Sequence, residues 1–397
     1  MYNPNKVADA IREYHGELTE IRRDIHSNPE HAYKEHRTAA LVVERLTAYG
    51  VDEVHTGIGG TGVVAVVRGS LGESRAAVGL RADMDCLAMN EETSIPWASK
   101  NKGFMHACGH DGHTTMLLGA MRYLAKTRNF AGTVYGVFQP AEEGAAGAKA
   151  MMDEGLFTRF PMKTIYGLHN VPWVPLGKMA VRNGAMMAAA DQFEIVIEGK
   201  GGHGGMPQFV CDPIVAASHV ITALQTIASR NVDPADSVVV SVCAIEGGKM
   251  TTYNVVPREV KMVGTIRTYR KETQASVFER MQQIVQTTAA AFGAKGTINI
   301  RRGYPATINH PREAALAAEV GREVFGHGNV VTEIFPNTGG EDFAFFLEAI
   351  PGAYIWVGIQ SETSFGLHHP CYDFDDRIIP TGAGLLAAIA EKELALG

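Results

Sequence analysis

No stretch of the 397 residues is apolar for long enough to span a bilayer. The start, Met1-Tyr2-Asn3-Pro4-Asn5-Lys6, leads into a polar helical pattern without the apolar core of a secretory leader. Basic blocks are missing too. With 36 Lys and Arg against 43 Asp and Glu, the formal net charge of -7 opposes attraction to nucleic acid or to an anionic membrane. Cysteine is sparse: Cys86, Cys108, Cys211, Cys243 and Cys371 are odd in number and scattered, with no C-x-x-C pair. That excludes a disulfide framework and a structural zinc cluster. Internal repeats and low-complexity tracts are also absent. What remains is a packed globular protein with a cytoplasmic location expected, and with neither nucleic acid nor membrane among its partners. The length exceeds what one hydrophobic core usually serves, so two domains are expected.

Hydrophobic periodicity supplies the outline. Val7, Ala10, Ile11, Tyr14, Leu18, Ile21 and Ile25 recur at helical spacing over 6–26, and a second helix over 36–49 stops at Gly50. Strand-like runs follow at 62–68, 75–80 and 133–139, with a helix over 114–126 before the third. This alternation predicts an α/β domain with helices on both faces of a mixed sheet. After Gly184 the texture changes. Strand 192–198, helix 213–229, strands 237–245 and 259–269, helix 272–291 and strand 296–301 give a β-α-β-β-α-β order, the pattern of a ferredoxin-like α+β unit. Helix 311–325, strand 354–359 and helix 382–396 then complete the first domain. The expected division is 1–184 with 304–397, and an inserted domain over 185–303.

The densest chemistry lies in His106-Ala107-Cys108-Gly109-His110-Asp111-Gly112-His113, where three imidazoles, a thiol and a carboxylate fall within eight residues. In an extended segment Cys108 and His110 share one face, which suits joint coordination of a metal ion. The neighbouring imidazoles and the start of a helix would also favour a reactive Cys108 thiolate. A second signal, Gln139-Pro140-Ala141-Glu142-Glu143-Gly144, places two carboxylates directly after a strand. Neighbours in an extended chain point apart, so one can bind metal while the other handles a proton. His169 and the pair His368-His369 stand at further strand or loop positions. A mixed His, Glu and Cys set suits a borderline or first-row divalent ion better than Ca²⁺ or Mg²⁺.

Together with Arg22-Arg23-Asp24-Ile25-His26, Arg81-Ala82-Asp83-Met84-Asp85, Gly167-Leu168-His169, Gly201-Gly202-His203-Gly204, Asn254-Val255-Val256-Pro257, Gly340-Glu341-Asp342-Phe343 and Leu367-His368-His369-Pro370, these motifs resemble one family along nearly the whole chain. It is the family of two-domain dinuclear-metal amidohydrolases and peptidases, in the branch of hippurate hydrolases, aminoacylases and indole-acetyl-amino-acid hydrolases. The resemblance implies a metallopeptidase-type catalytic domain and an inserted domain for dimerisation or lid closure. It also implies two divalent ions per subunit, Zn²⁺ before Mn²⁺, Co²⁺ or Ni²⁺, held by Cys108, His110, Glu143, His169 and His368, with His369 not a ligand. By the same resemblance Glu142 is the general base, Asp85 orients the ligands, His203 stabilises an oxyanion in the partner subunit of a homodimer, and Asn254 and Arg267 grip a substrate carboxylate. The implied reaction is hydrolysis of the amide bond of an N-acyl amino acid. A dipeptidase and a biosynthetic N-acyl-amino-acid deacetylase would use the same residues, and a silent ligand-binding relative would have lost Glu142 or Glu143, which are both present. Gln208 departs from the family pattern, where many relatives carry His.

Overall fold

The computed structural model describes residues 4–72 and 74–395. The chain divides into two compact units. Unit 1 comprises Met1–Met186, Thr307–Phe335 and Asp342–Gly397; unit 2 comprises Met187–Ala306 and Pro336–Glu341. The stretch Pro336–Glu341, expected with the first domain, belongs to unit 2. The Ala188 N–H reaches the carbonyls of Asn337 and Gly339, both at 3.1 Å, and draws that segment onto the start of the insert.

Unit 1 is built on an eight-stranded mixed sheet. Its spatial order is Glu53–Ile58, Gly62–Arg68, Thr133–Gln139, Ala77–Asp83, Thr164–Pro175, Gly352–Gln360, Met179–Ala180 and Val330–Val331. The four strands from Thr133–Gln139 to Gly352–Gln360 run parallel, with Asp83 opposite Gln139 and Trp356 opposite His169. Parallel strands need cover on both faces, and side-chain alternation provides it. Val63, Ala65 and Val67 join the main core with Leu18, Leu117, Met121 and Leu386, from three of the longer helices. The intervening Val64 and Val66 are equally buried on the opposite face, where the short helices Gly147–Asp153 and Ala344–Ala349 lie.

The expected helix over 6–26 is broken into Pro4–Arg12 and His15–Ser27, because the Tyr14 N–H turns back to the Ile11 carbonyl at 3.2 Å. The segment around His169, open between strand and loop in the sequence, is the strand Thr164–Pro175: its first eight residues are all buried, so it shows no alternation, and Pro172 and Pro175 mimic a loop. No helix among the described residues is long and apolar enough to cross a membrane.

Unit 2 contains a four-stranded antiparallel sheet in the order Val238–Glu246, Glu259–Thr268, Ala189–Glu198, Lys295–Tyr304. Numbered along the chain this is 2-3-1-4, the ferredoxin-like arrangement. Helices Pro213–Thr226 and Lys271–Ala291 cover one face through Val220, Leu224, Met281 and Val285, which pack on Ile195, Ile197 and Met262. The first of these helices starts where it does because Pro213 needs no N–H partner and the Asp212 side chain accepts from Ile214 N–H at 2.9 Å.

Candidate metal centre

The carboxyl ends of the parallel strands of unit 1 carry the chemistry. Strand Ala77–Asp83 ends in Asp83 with Asp85 two residues on, strand Thr133–Gln139 runs into Glu142 and Glu143, and His169 sits inside strand Thr164–Pro175. The eight-residue cluster is not extended as its sequence suggested. Gly109 is left-handed, with φ 96°, and His110 opens the helix His110–Thr127. A tight turn, rather than strand alternation, brings Cys108 and His110 together. A Cβ on Gly109 would lie 2.0 Å from Asn170 Oδ1 and 2.6 Å from the Tyr372 hydroxyl, so only glycine fits. Glu142 and Glu143 likewise sit in a short irregular helical turn, Glu142–Ala145, behind a left-handed Ala141 with φ 54°. Their carboxylates therefore converge instead of pointing apart.

All five expected ligands are gathered here. Single donor atoms of Cys108, His110 and His169 lie within 4.8 Å of one another; so do those of Cys108, Glu143 and His368, and those of His110, Glu142 and Glu143. Cys108 Sγ is 3.4 Å from His169 Nε2, and His368 Nε2 is 3.4 Å from Glu143 Oε1. His169 Nδ1–H donates to the Asn170 carbonyl at 2.6 Å, which leaves the Nε2 lone pair aimed at the thiol. His368 adopts φ 61°, and its N–H donates to the Ala107 carbonyl at 2.8 Å, tying two loops to one site. His369 is engaged elsewhere, stacked on Phe365 and accepting from Cys371 N–H at 3.0 Å. Asp85 spans two members of the set: Oδ1 lies 3.2 Å from His110 Nδ1 and Oδ2 accepts from Glu143 N–H at 2.9 Å.

Two residues given no role from sequence complete the surroundings. Asp83 and His113 form a further close group with His110. His113 bridges Asp83 Oδ1 at 2.7 Å and Asn170 Oδ1 at 2.6 Å, and Asn170 donates to the Tyr372 hydroxyl at 2.7 Å. The three-residue spacing of His110 and His113 on one helix was the available signal. His106, by contrast, is buried outside the ligand groups with its ring centroid 6.3 Å from that of His26.

The electrostatics are those of a cation site. Burial would lower Asp83's share of charge, yet Arg81, His110 and His113 outweigh it and hold the carboxyl well below its usual range. For His110, desolvation is overcome by Asp83, Asp85 and Glu143, which raise it to about 10. Burial pushes the Cys108 thiol up, and Glu143, Glu142 and Asp83 push it further. Against the expectation of a reactive thiolate, burial first and the carboxylates second favour the protonated thiol where no cation is bound, although the imidazoles lie near. His110 Nε2 and Glu143 Oε1 are both buried without a hydrogen-bond partner. Leaving such atoms unpaired is costly, and a divalent ion between them meets the need of both.

In unit 2, His203 is exposed in the two-residue strand Gly202–His203, paired with Val255–Val256. Its Nδ1 accepts from Gly205 N–H at 2.9 Å, so the ring proton resides on Nε2. Asn254 is adjacent, its carbonyl accepting from Gly204 N–H at 2.8 Å. Arg267 lies on strand Glu259–Thr268, half-buried, with Nη1 directed at Thr265 Oγ1 and the Ile266 carbonyl.

Comparison with known proteins places the chain among its relatives. The chain is 41% identical to a hippurate hydrolase of Campylobacter jejuni over 384 residues, covering 97% of this chain and 98% of that one. It is 36% identical to an N-acetylcysteine deacetylase of Bacillus subtilis, covering 96% and 98%. The crystal structure of a dinuclear metal-binding peptidase from Bacillus subtilis superposes with a TM-score of 0.84 at 33% identity, covering 96% of this chain and 99% of that one. Residues 79–392 match the model of peptidase family M20/M25/M40, and it is to this family that the chain belongs.

Proposed function

We propose that the chain is a metal-dependent amidohydrolase of N-acyl amino acids, in which Cys108, His110, Glu143, His169 and His368 hold two divalent ions and Glu142 is the general base. The observation that carries this reading is the convergence of the five donors beside a second carboxylate, with His110 Nε2 and Glu143 Oε1 buried and making no hydrogen bond. When bound, the ions acidify a water and polarise the scissile carbonyl. The chain's own residues do the rest. Glu142, nearly buried and with Oε1 3.3 Å from the Asp342 N–H, takes the proton of the attacking water and returns it to the departing nitrogen. Asp85 fixes the His110 ring and the Glu143 backbone at once, so the donor set is held before any ion arrives.

Zn²⁺ fits the thiolate and imidazole donors best. We further assign unit 2 to dimerisation, with the Nε2–H of His203 donating to the oxyanion in the partner subunit and with Asn254 and Arg267 gripping the substrate's α-carboxylate. The exposed edge of strand Val238–Glu246 supports pairing with a second copy. Cytoplasmic location accords with the acidic, cysteine-poor composition.

The test is elemental analysis of active protein, with turnover of N-benzoyl and N-acetyl amino acids and of dipeptides before and after chelation. About two transition-metal ions per chain and chelator-sensitive release of the free amino acid are expected. Full activity without transition metal refutes the proposal. Glu142→Gln should keep its metal and lose roughly 10²–10⁴-fold in kcat.

A further inference from the structure

Three non-glycine residues with left-handed backbone meet around the turn that carries Glu142: Tyr33 with φ 61°, Ala141 with φ 54° and Ala146 with φ 58°. L-residues avoid this region, so each is held there by its surroundings. Part of the hold is local. Gly147 N–H donates to the Ala141 carbonyl at 3.0 Å, and a Cβ on Gly147 would stand 1.7 Å from the Pro140 carbonyl oxygen. The rest comes from a segment distant in sequence. Glu35 is wholly buried; its Oε1 accepts from the Ala141 N–H at 2.9 Å and from the Tyr33 N–H at 3.0 Å, while Oε2 accepts from the Thr61 hydroxyl. The Tyr33 hydroxyl closes the clamp on the other end of the turn, donating to the Ala145 carbonyl at 2.8 Å.

A carboxylate in this place is costly. Burial raises its proton affinity, and the charge of Asp85 adds to the penalty. Packing alone would be served by an apolar side chain of similar volume. What an apolar side chain lacks is an acceptor for the buried Ala141 N–H, without which Ala141 returns to an ordinary backbone region and Glu142 swings with it.

We infer that Glu35 is a positioning residue for the reaction: it clamps Ala141 in the left-handed turn that delivers Glu142 to the water. The inference rests on Glu142 being the general base. Glu143, in the same turn, has its own tie, its N–H donating to Asp85 Oδ2 at 2.9 Å, so the effect of Glu35 passes through Glu142 and leaves both KM and metal content in place.

The experiment is a double-mutant cycle on metal-loaded enzyme with an N-acyl amino acid that wild type hydrolyses. Glu35→Ala should lower kcat by about 10- to 100-fold, the scale of an ångström-sized misplacement, with metal content unchanged and KM within about threefold. Glu35→Gln, which still offers an acceptor to Ala141, should stay within about threefold of wild type in kcat. Adding Ala141→Gly to Glu35→Ala should restore much of the loss, because glycine enters the left-handed region freely. In a Glu142→Gln background Glu35→Ala should lower kcat no further. A folded Glu35→Ala enzyme with wild-type kcat overturns the inference, as does a loss that follows metal content or adds in full to that of Glu142→Gln. Should Glu35→Ala fail to fold, Thr61→Val removes only the hydroxyl that anchors the far oxygen. It is then expected to lower kcat several-fold at constant KM, and unchanged kcat overturns the inference. Failure of the base assignment itself looks different: Glu142→Gln alone would remain active.

Discussion

His26 makes the stability of unit 1 depend on pH across an unusual window. Its ring is wholly buried, and burial works against the cation. Asp111 Oδ2 at 2.8 Å from Nδ1 and Glu91 Oε2 at 3.5 Å from Nε2 outweigh that cost and raise the imidazole to about 9 from its ordinary 6.5. Because the folded value lies above the unfolded one, the stabilisation is complete below about pH 6.5 and is lost as pH rises through about 9. The rise corresponds to about 3 kcal/mol at 1.36 kcal/mol per unit. Asp111, held well below the carboxylate range, titrates outside this window and does not mimic the effect. All three tryptophans, Trp97, Trp173 and Trp356, belong to unit 1, so their fluorescence reports its unfolding in urea. The advantage of wild type over His26→Gln should be about 3 kcal/mol larger near pH 6 than near pH 9.5. An equal advantage at both values would refute the assignment of the buried charge.

Gly109→Ala should destabilise unit 1 by roughly 2–5 kcal/mol, a left-handed penalty plus a broken buried hydrogen bond, and should strip metal from the site; an unchanged melting temperature refutes this. Because Cys108 holds its proton in the absence of a cation, metal loading should release protons and tighten with rising pH, measurable by titration in buffers of different ionisation enthalpy. Glu143→Gln should weaken metal affinity, whereas Glu142→Gln should not, as elemental analysis after dialysis would show. If His203 acts in trans, mixing inactive His203→Ala and Glu142→Gln subunits should return up to about a quarter of wild-type activity, and no recovery in verified heterodimers refutes it.

The legible parts of the fold are those whose period survives in one segment. Helix Pro311–Phe325 and strands Gly62–Arg68 and Thr133–Gln139 were read to the residue, because proline, glycine and charge punctuate their ends. Strand Thr164–Pro175 was not, since burial on both faces erases alternation. For the site, donor identities were visible as a motif while their geometry was not. Cys108 and His110 meet through the backbone of Gly109, and Glu142 meets Glu143 through that of Ala141, neither of which periodicity can express. The roles of Asp83 and Glu35 stayed hidden for a different reason: each acts on residues far along the chain, His113 in one case and Ala141 in the other.

The interleaved chain path also sets an order for biogenesis. Strand Gly352–Gln360 fills the gap between Thr164–Pro175 and Met179–Ala180 in the unit 1 sheet, yet it is translated only after the whole of Met187–Ala306. At roughly 5–20 residues per second, the apolar edge of Thr164–Pro175 waits on the order of ten seconds or more for its neighbour. The four strands of unit 2, contiguous in sequence, emerge complete in the meantime. The insert can therefore finish folding on the ribosome while the surrounding unit is still short of a central strand, and the nascent chain is most exposed to aggregation and to chaperone capture during that interval.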